Sequence, residues 1–336
     1  MSSGAVLGFE CEWFDGISGE LNTLFIKYFL DDNTIEILTP TRTFLARIYY
    51  PDVTVVDLFL GNSITVYNRM ITIKKYCNKA TSEYMESREV HFLVVVGGEG
   101  RQHLGRVLQL SKEHRLITGK MRTTGVDMPD IGARAGDFLI QAVGYDGAES
   151  HKYIPAVESI GPSVTCVALS SDDMISTMAV KSATLCPDSD DCTLCIIKPH
   201  ILREQKCGEV IDAILSQGYE ISAMYSAHLT NSIAEELLDV YKEIFPKFTA
   251  MIEHLTSSPC LALKVTAGKA RPGFGLVESF REHCGPLNPE LARTLRKNSL
   301  RARFGESYEC NAVHCTDLAE DAHMECRYFF ETLAKL

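Results

Sequence analysis

An internal repeat constrains this chain more than any other feature. Val95-Val96-Gly97-Gly98 lies opposite Ile196-Ile197-Lys198-Pro199, and Leu104-Gly105-Arg106-Val107 lies opposite Cys207-Gly208-Glu209-Val210. Met121 then matches Met224, and Gly161-Pro162 matches Ser258-Pro259. Each copy starts with an apolar strand, enters an amphipathic helix, returns to a strand and continues into helices and another strand. That is a split β-α-β unit of the ferredoxin-like kind, used twice, with the pattern rather than the few identities carrying the match. Each copy needs a core of its own. A chain of 336 residues, 46% hydrophobic, has enough apolar material for two or three, so the expected class is multidomain α+β.

Three domains are expected. Residues 1–80 read as a small β domain, because short alternating apolar runs are broken by turn residues: Phe25 to Leu30, then Asp31-Asp32-Asn33, then Thr34 to Leu38. Phe44 to Tyr50 and Ile64 to Lys74 are further strands, and Trp13, the only tryptophan, is a core anchor. The polar stretch between Asn78 and Arg88 reads as a linker or domain edge. Residues 88–186 form the first repeat, with strands at Val90 to Val96 and Val164 to Leu169, a helix at Leu104 to Leu110 and a loop-rich middle. Pro187-Asp188-Ser189-Asp190-Asp191 reads as a second linker.

Residues 192–336 form the other repeat. Strand Leu194 to Ile197 leads to a helix with Val210, Ile211, Ile214 and Leu215 on one face, closed by Gly218. Strand Ile221 to Met224 follows, and Ser232 with Glu235 is a capping-box pair for a helix that stops at Pro246. Phe248, Met251, Ile252 and Leu255 mark the next helix, and Cys260 to Val265 the next strand.

No apolar run reaches the ~18 residues of a membrane span, and Met1 to Gly8 lacks the features of a secretory leader, so a cytosolic chain without membrane contact is expected. Twelve cysteines scattered through strands and helices read as reduced thiols. Cys192 and Cys195, three apart on a strand, point to opposite faces and read as buried thiols rather than a metal pair. A net charge of -11 argues against general nucleic-acid binding.

The second repeat also carries the chemistry. Ile197-Lys198-Pro199 ends its first strand, Arg281 precedes Gly285, then come Asn288-Pro289, Leu300-Arg301 and Asn311-Ala312-Val313-His314-Cys315-Thr316-Asp317, with Glu325 beyond. A neutral imidazole can attack a γ-phosphorus and hold the phosphoryl group for a second acceptor, while fixed cations offset the charge on the phosphoryl oxygens. This order of residues over 192–336 resembles the nucleoside diphosphate kinases. The resemblance implies His314 as the phosphoryl acceptor, Lys198, Arg281 and Arg301 as phosphate-binding cations, and Mg2+ held through the phosphates of ATP or another NTP rather than by protein ligands. It also implies Glu325 orienting the His314 ring, Asn311 and Thr316 donating hydrogen bonds near the nucleotide, Tyr241 placing the phosphates or the histidine, and Phe248 stacking on the base. Leu287 replaces a phosphate-contacting threonine of the family, His200 replaces the aspartate after Lys-Pro, and the loop at Lys247-Phe248 is short. Thr266 to Gly275 reads as a surface insertion.

The first repeat has Gly97 in place of the lysine and no counterpart of Arg281, Arg301 or His314, so it is expected to be degenerate and inactive. The N-terminal unit, with Glu12-Trp13-Phe14-Asp15, Phe44-Leu45-Ala46-Arg47 and Asp57-Leu58-Phe59-Leu60-Gly61, is similar to the pleckstrin-homology-like β domain of axonemal proteins. The whole order resembles the long axonemal nucleoside diphosphate kinase homologues. That resemblance implies a structural microtubule inner protein of doublet microtubules, located in the cytoplasm, cytoskeleton and axoneme of cilia or flagella, with tubulin, other doublet proteins and the γ-tubulin complex as partners. An active kinase working by ping-pong transfer is the alternative.

Overall fold

Alternation of apolar and polar residues builds the first sheet. The computed structural model describes residues 5–15, 20–146, 150–179, 191–243, 245, 247–269 and 275–335. These form two units, one from Met1–His91, Glu113–Ile117 and Val143–Tyr153, the other from Phe92–Lys112, Thr118–Ala142 and Ile154–Leu336.

In the first unit, β1 (Val6–Asp15), β2 (Glu20–Phe29), β3 (Thr34–Leu38), β4 (Thr43–Tyr49), β5 (Ser63–Val66) and β6 (Arg69–Tyr76) make a six-stranded antiparallel sheet in the order β4-β3-β2-β1-β6-β5. Every second residue points into one core: Leu7, Phe9 and Cys11 from β1, Leu24, Ile26 and Tyr28 from β2, Ile35 and Ile37 from β3. The single strand expected over Ile64 to Lys74 is a hairpin. Val66 pairs with Arg69 around Tyr67 and Asn68, whose φ values of 47° and 63° match the two-residue turn that suits the twist of paired strands. Trp13 is half-buried and packs against this core together with Phe44, and the Arg69 guanidinium lies 5.0 Å from its ring centre.

The stretch Asn78 to Arg88, read as a linker or domain edge, contains helix α1 (Lys79–Glu86). Asn78 caps it by accepting from the Thr81 amide at 2.9 Å, and the buried Thr81 hydroxyl accepts from the Gly8 amide of β1 at 3.0 Å. Only Thr81 and Met85 of this helix are buried, too few to produce an apolar stripe in the sequence.

Most of an eight-stranded sheet belongs to the second unit. Its elements in chain order are β7 (Glu89–Val96), α2 (Leu104–Glu113), β8 (Ile117–Thr123), β9 (Phe138–Tyr145), α3 (Tyr153–Glu158), β10 (Val164–Leu169) and α4 (Ser171–Ala179). They continue with β11 (Thr193–Ile197), α5 (Pro199–Arg203), α6 (Cys207–Ser216), β12 (Glu220–Ala227), α7 (Asn231–Leu237), α8 (Phe248–Thr256), β13 (Cys260–Thr266), α9 (Leu276–Cys284), α10 (Pro289–Leu295), α11 (Leu300–Phe304), β14 (Val313–Cys315) and α12 (Ala322–Arg327). The strand order is β10-β7-β9-β8-β12-β13-β11-β14. All of β11 is buried, as are His91 to Val96 of β7 and Cys260 to Val265 of β13, which is why these strands are largely apolar, with Lys264 the buried exception in β13.

The two halves of this sheet meet at β8 and β12, where Tyr225 pairs with Arg122. The Met121 amide donates to the Ser226 hydroxyl at 2.9 Å, and the Met224 amide to the Thr123 hydroxyl at 2.9 Å. Alongside, α2 and α6 cross at Gly105 and Gly208. A Cβ at Gly105 would lie 2.6 Å from the Gly208 carbonyl oxygen, and one at Gly208 would lie 2.6 Å from that of Gly105, so neither helix accepts a side chain there. Residues matched in the sequence repeat, Gly105 with Gly208 and Met121 with Met224, are thus brought together.

Three expectations change in this unit. The loop-rich middle after Leu110 holds β8 and β9, interrupted by Gly119 and Gly144. Because β9 lies between β8 and β7 as β13 lies between β12 and β11, the segment after Gly161-Pro162, β10, takes the place of β14 and not of β13, so the match of Gly161-Pro162 to Ser258-Pro259 fails. The cap of α7 is Thr230, whose side chain accepts from the Ile233 amide at 3.4 Å, not Ser232. Pro246, the linker residues 187–190 and positions 270–274 of the insertion lie outside the described residues. No helix among the described residues is long and apolar enough to cross a membrane.

Candidate functional site

Two neighbouring strands fix the centre of the site. β14 runs antiparallel to β11 with His314 opposite Ile196, and the Lys198 amide donates to the Ala312 carbonyl at 2.9 Å, so Lys198 follows the end of β11 directly beside the chain entering β14. Lys198 then caps α5, with Pro199 as its first helical residue. Ala312, just before β14, has a left-handed φ of 71°, a strained conformation for a residue with a side chain.

His314 is 6% exposed, and its Nε2 is buried without a hydrogen-bond partner among the described residues. Burial, with Arg301 and Lys198 nearby, pushes its pKa down to about 4 against the opposing pull of Asp317. The ring is therefore neutral at ordinary pH, the state a nucleophile requires. Lys198 is 2% exposed and donates from Nζ to the Glu309 carbonyl at 2.9 Å. Burial, then Arg301, lowers its pKa to about 7.

Arg301, buried on α11, donates to the Val313 carbonyl from Nε at 3.2 Å and Nη2 at 3.0 Å, and to the Gly285 carbonyl from Nη1 at 2.6 Å. Gly285, at φ 82°, could carry no side chain, because its Cβ would fall 2.2 Å from the Ser299 hydroxyl oxygen. Arg281, at the end of α9, donates to the Asp317 carbonyl at 2.8 Å and pairs with its carboxylate at 3.2 Å. The Tyr241 hydroxyl donates to the other oxygen of that carboxylate, and its ring meets the His314 ring edge-on at 6.5 Å between centres. Asp317 therefore ties Arg281 to Tyr241, a junction the sequence signals only by placing an aspartate at the end of the histidine motif.

A cavity of about 640 Å³ opens beside these groups, with walls that include Tyr241, Arg281, Leu287, Arg301, Tyr308 and Asp317. Arg281, Arg296 and Arg301 on these walls are opposed by Glu278, Glu282 and Asp317. His314 is not itself a wall residue; its neighbours Tyr241, Arg301 and Asp317 are.

Lys198, His314 and Arg301 are brought together, and Asp317 links Tyr241 and Arg281 beside them. Asn311 is buried, donates to the Leu287 carbonyl at 3.2 Å and leaves its Oδ1 without a partner among the described residues. Three expectations are corrected. Glu325 does not hold the His314 ring: its carboxylate accepts from the Thr316 hydroxyl at 2.6 Å. Thr316 is fully buried and spends that hydroxyl between Glu325 and the Leu194 amide at 3.0 Å, so it does not face the cavity. Phe248 is not in the cavity wall either, because it packs on the core that holds Met251, Ile252 and Leu255. Among the described residues, the aromatic side chains at the cavity are Tyr241 and Tyr308, the latter packed on Phe245 with ring centres 5.1 Å apart.

The model of the nucleoside diphosphate kinase family matches residues 191–334. Nucleoside diphosphate kinase homolog 7 of Rattus norvegicus is 28% identical over 376 aligned residues, covering 97% of this chain and 93% of that protein, and the Mus musculus homolog 7 matches to the same extent. A nucleoside diphosphate kinase of Helicobacter pylori is 36% identical over 140 residues, which take up 42% of this chain and 95% of the bacterial one. Among solved structures, the Aquifex aeolicus nucleoside diphosphate kinase covers 44% of this chain and 99% of its own at 29% identity and a TM-score of 0.38.

Proposed function

The chain belongs to the nucleoside diphosphate kinase family, and from that premise we propose that residues 192–336 bind a nucleoside tri- or diphosphate with Mg2+ and pass its γ-phosphoryl group through His314. The observation that carries this reading is a buried, neutral imidazole beside two buried cations, Lys198 and Arg301. Burying three such groups together is costly unless a polyanion completes them. Asp317 is already engaged by Tyr241 and Arg281, and the arginines suit phosphate oxygens, so the metal would be held through phosphates rather than by a carboxylate cage. Mg2+ bound with the nucleotide would supply positive charge to offset that of the phosphates, beside Lys198, Arg301 and Arg281.

A ring nitrogen of His314 attacks the γ-phosphorus, the bond to the bridging oxygen breaks, and the diphosphate leaves with that electron pair. The terminal oxygen of a second nucleoside diphosphate then takes the phosphoryl group and restores the free imidazole. Lys198 and Arg301 offset negative charge as it shifts to the leaving oxygen, and Arg281 joins them once phosphate draws it from Asp317. Incubation with radiolabelled ATP and Mg2+ is expected to give an acid-labile label that is absent from His314→Ala; an unlabelled parent chain ends this reading.

A second reading rests on the other half of the sheet, taken as residues 88–186. The Gly97 amide donates to the Ser163 carbonyl at 2.8 Å, as Lys198 does to Ala312, so the same register sets glycine against lysine and the exposed Thr165 against His314. A β-α-β half without its reactive groups, joined to an N-terminal β unit of the pleckstrin-homology-like kind, supports an architectural task. That task is a place inside the doublet microtubules of the axoneme, with tubulin, other doublet proteins and γ-tubulin complexes as partners. Electron microscopy of doublets from cells lacking the protein tests it, and unchanged density rejects it.

A further inference from the structure

Where Lys-Pro meets α5, a second cluster of reactive side chains lies outside the phosphate-binding set. His200 is the second residue of α5, His254 lies on α8, and Cys310 lies in the segment leading to Asn311. His200 Nδ1 is 3.0 Å from His254 Nε2, and Cys310 Sγ is 3.6 Å from His254 Nδ1. One donor atom from each of the three residues lies within 4.8 Å of the others. We propose that His200, His254 and Cys310 form a three-ligand site for a borderline-soft divalent transition metal of the zinc class, with the fourth position open to water.

The donor set fits that ion. Tetrahedral zinc with bonds of about 2.0–2.1 Å to nitrogen and about 2.3 Å to sulfur holds its ligand atoms about 3.3–3.6 Å apart. The contacts to His200 and Cys310 use different nitrogens of His254, so coordination through one of them requires that ring to turn and the donor atoms to close from a spread of up to 4.8 Å. Two imidazoles and a thiolate select zinc-like ions over the oxygen-seeking Mg2+. Burial holds both rings near pKa 3, helped at His200 by His254 and at His254 by Lys198, so both are in the neutral form that ligates. The Cys310 thiol is pushed up by burial and would lose its proton to the metal. The cations Lys198 and Arg203 act on both rings against the entry of a dication, while Glu204 at His200 and Glu309 at His254 act in its favour.

Hydrogen bonding within the trio does not account for it. If Cys310 donates to His254 and His254 to His200, Nε2 of His200 remains buried with no partner among the described residues. The three ligands come from separate elements, so a bound ion would clasp α5, α8 and the segment that carries Asn311 and the Glu309 carbonyl accepting from Lys198.

The test uses the full chain without nucleotide, freed of metal by chelation. Equilibrium dialysis against Zn2+ is expected to give one ion per chain, and Co2+ in its place an intense thiolate-to-metal absorption. Cys310→Ser and His254→Asn are each expected to weaken Zn2+ binding at least about 100-fold and to alter the Co2+ spectrum, while Cys77→Ser, at an exposed thiol, leaves both unchanged. Zn2+ should also shield Cys310 of the unaltered chain from alkylation, read by peptide mass spectrometry, which needs no variant to fold. No Co2+–thiolate absorption, no shielding of Cys310, or tight Zn2+ binding unaffected by both substitutions overturns the proposal.

Discussion

From β7 to β10 and from β11 to β14 the chain runs the same strand order outward from a shared seam, yet the two halves are furnished differently. Between β13 and β14 stand α9, α10 and α11, which bring Arg281 and Arg301 over the end of the sheet; between β9 and β10 the helix is α3, of six residues. Without that cover, Thr165 is exposed, whereas His314 is buried. The strands supply a place for a reactive group. On the proposed reading, reactivity depends on the helices that exclude water and deliver charge, so the two halves can differ in chemistry while both keep their pairing at β8 and β12.

The sharpest way to break this contrast is to remove the charge from the furnished half. Lys198→Ala should slow labelling of His314 about 100- to 1,000-fold, as expected for a donor aimed at developing charge, with the Tm read alongside to exclude unfolding. A loss below tenfold would mean that Arg301 alone offsets the phosphate charge.

The pH profile of labelling is next in size. On the proposed mechanism His314 takes the phosphoryl group only when neutral, so the labelling rate should fall as pH drops through about 4; Lys198 would bind phosphate only when charged, so kcat/KM should fall as pH rises through about 7, each limb by about tenfold per unit. Stability follows the same signs. His314 and His283, at about 4, and His200 and His254, at about 3, all lie below the usual 6.5. The unfolded chain therefore binds more protons than the native one below about pH 6.5, and stability present above that pH is lost as it falls toward 3 to 4, measurable by denaturant titration.

At the seam, Gly208→Val forces a side chain against the Gly105 carbonyl and should cost about 1–3 kcal/mol, read as a lower Tm. Glu325→Ala removes the acceptor of the buried Thr316 hydroxyl and should cost about 1 kcal/mol with less than a tenfold change in labelling; a much larger change would mean that Glu325 turns to the histidine during transfer. The smallest effect is expected from Gly97→Lys combined with Thr165→His. Without the cover of α9 and α11, the added pair should take up no label, and label at the new histidine would overturn the view that the helices make the difference.

The parts of this arrangement that were legible in the sequence are those fixed by short-range pattern. Alternation exposed β2 and β3, apolar runs exposed β7, β11 and β13, and the motif around His314, with Lys198 and Arg301, singled out the residues that the fold brings together. Where one residue does two things, the reading failed. Tyr67 and Asn68 look like strand continuation until their positive φ turns them into a hairpin, and the polar surface of α1 hides the two side chains that anchor it. Gly119 and Gly144 broke the pattern of β8 and β9, which displaced the later part of the repeat alignment.

Side-chain partners across elements were the least legible. Glu325 on Thr316, Phe248 in the core and Tyr308 at the cavity depend on how α7, α8 and α12 pack, and no spacing along the chain encodes that. The trio of His200, His254 and Cys310 is of the same kind: three residues with no motif between them meet only when α5, α8 and the approach to β14 are assembled.

The measurement closest to the central claim is phosphoryl labelling of the intact chain, read at His314 by peptide mapping after exposure to radiolabelled ATP and Mg2+. A single label that is lost in acid, persists in alkali and disappears with His314→Ala is the predicted result. Equal label on the His314→Ala chain, or none on the parent chain, would contradict it.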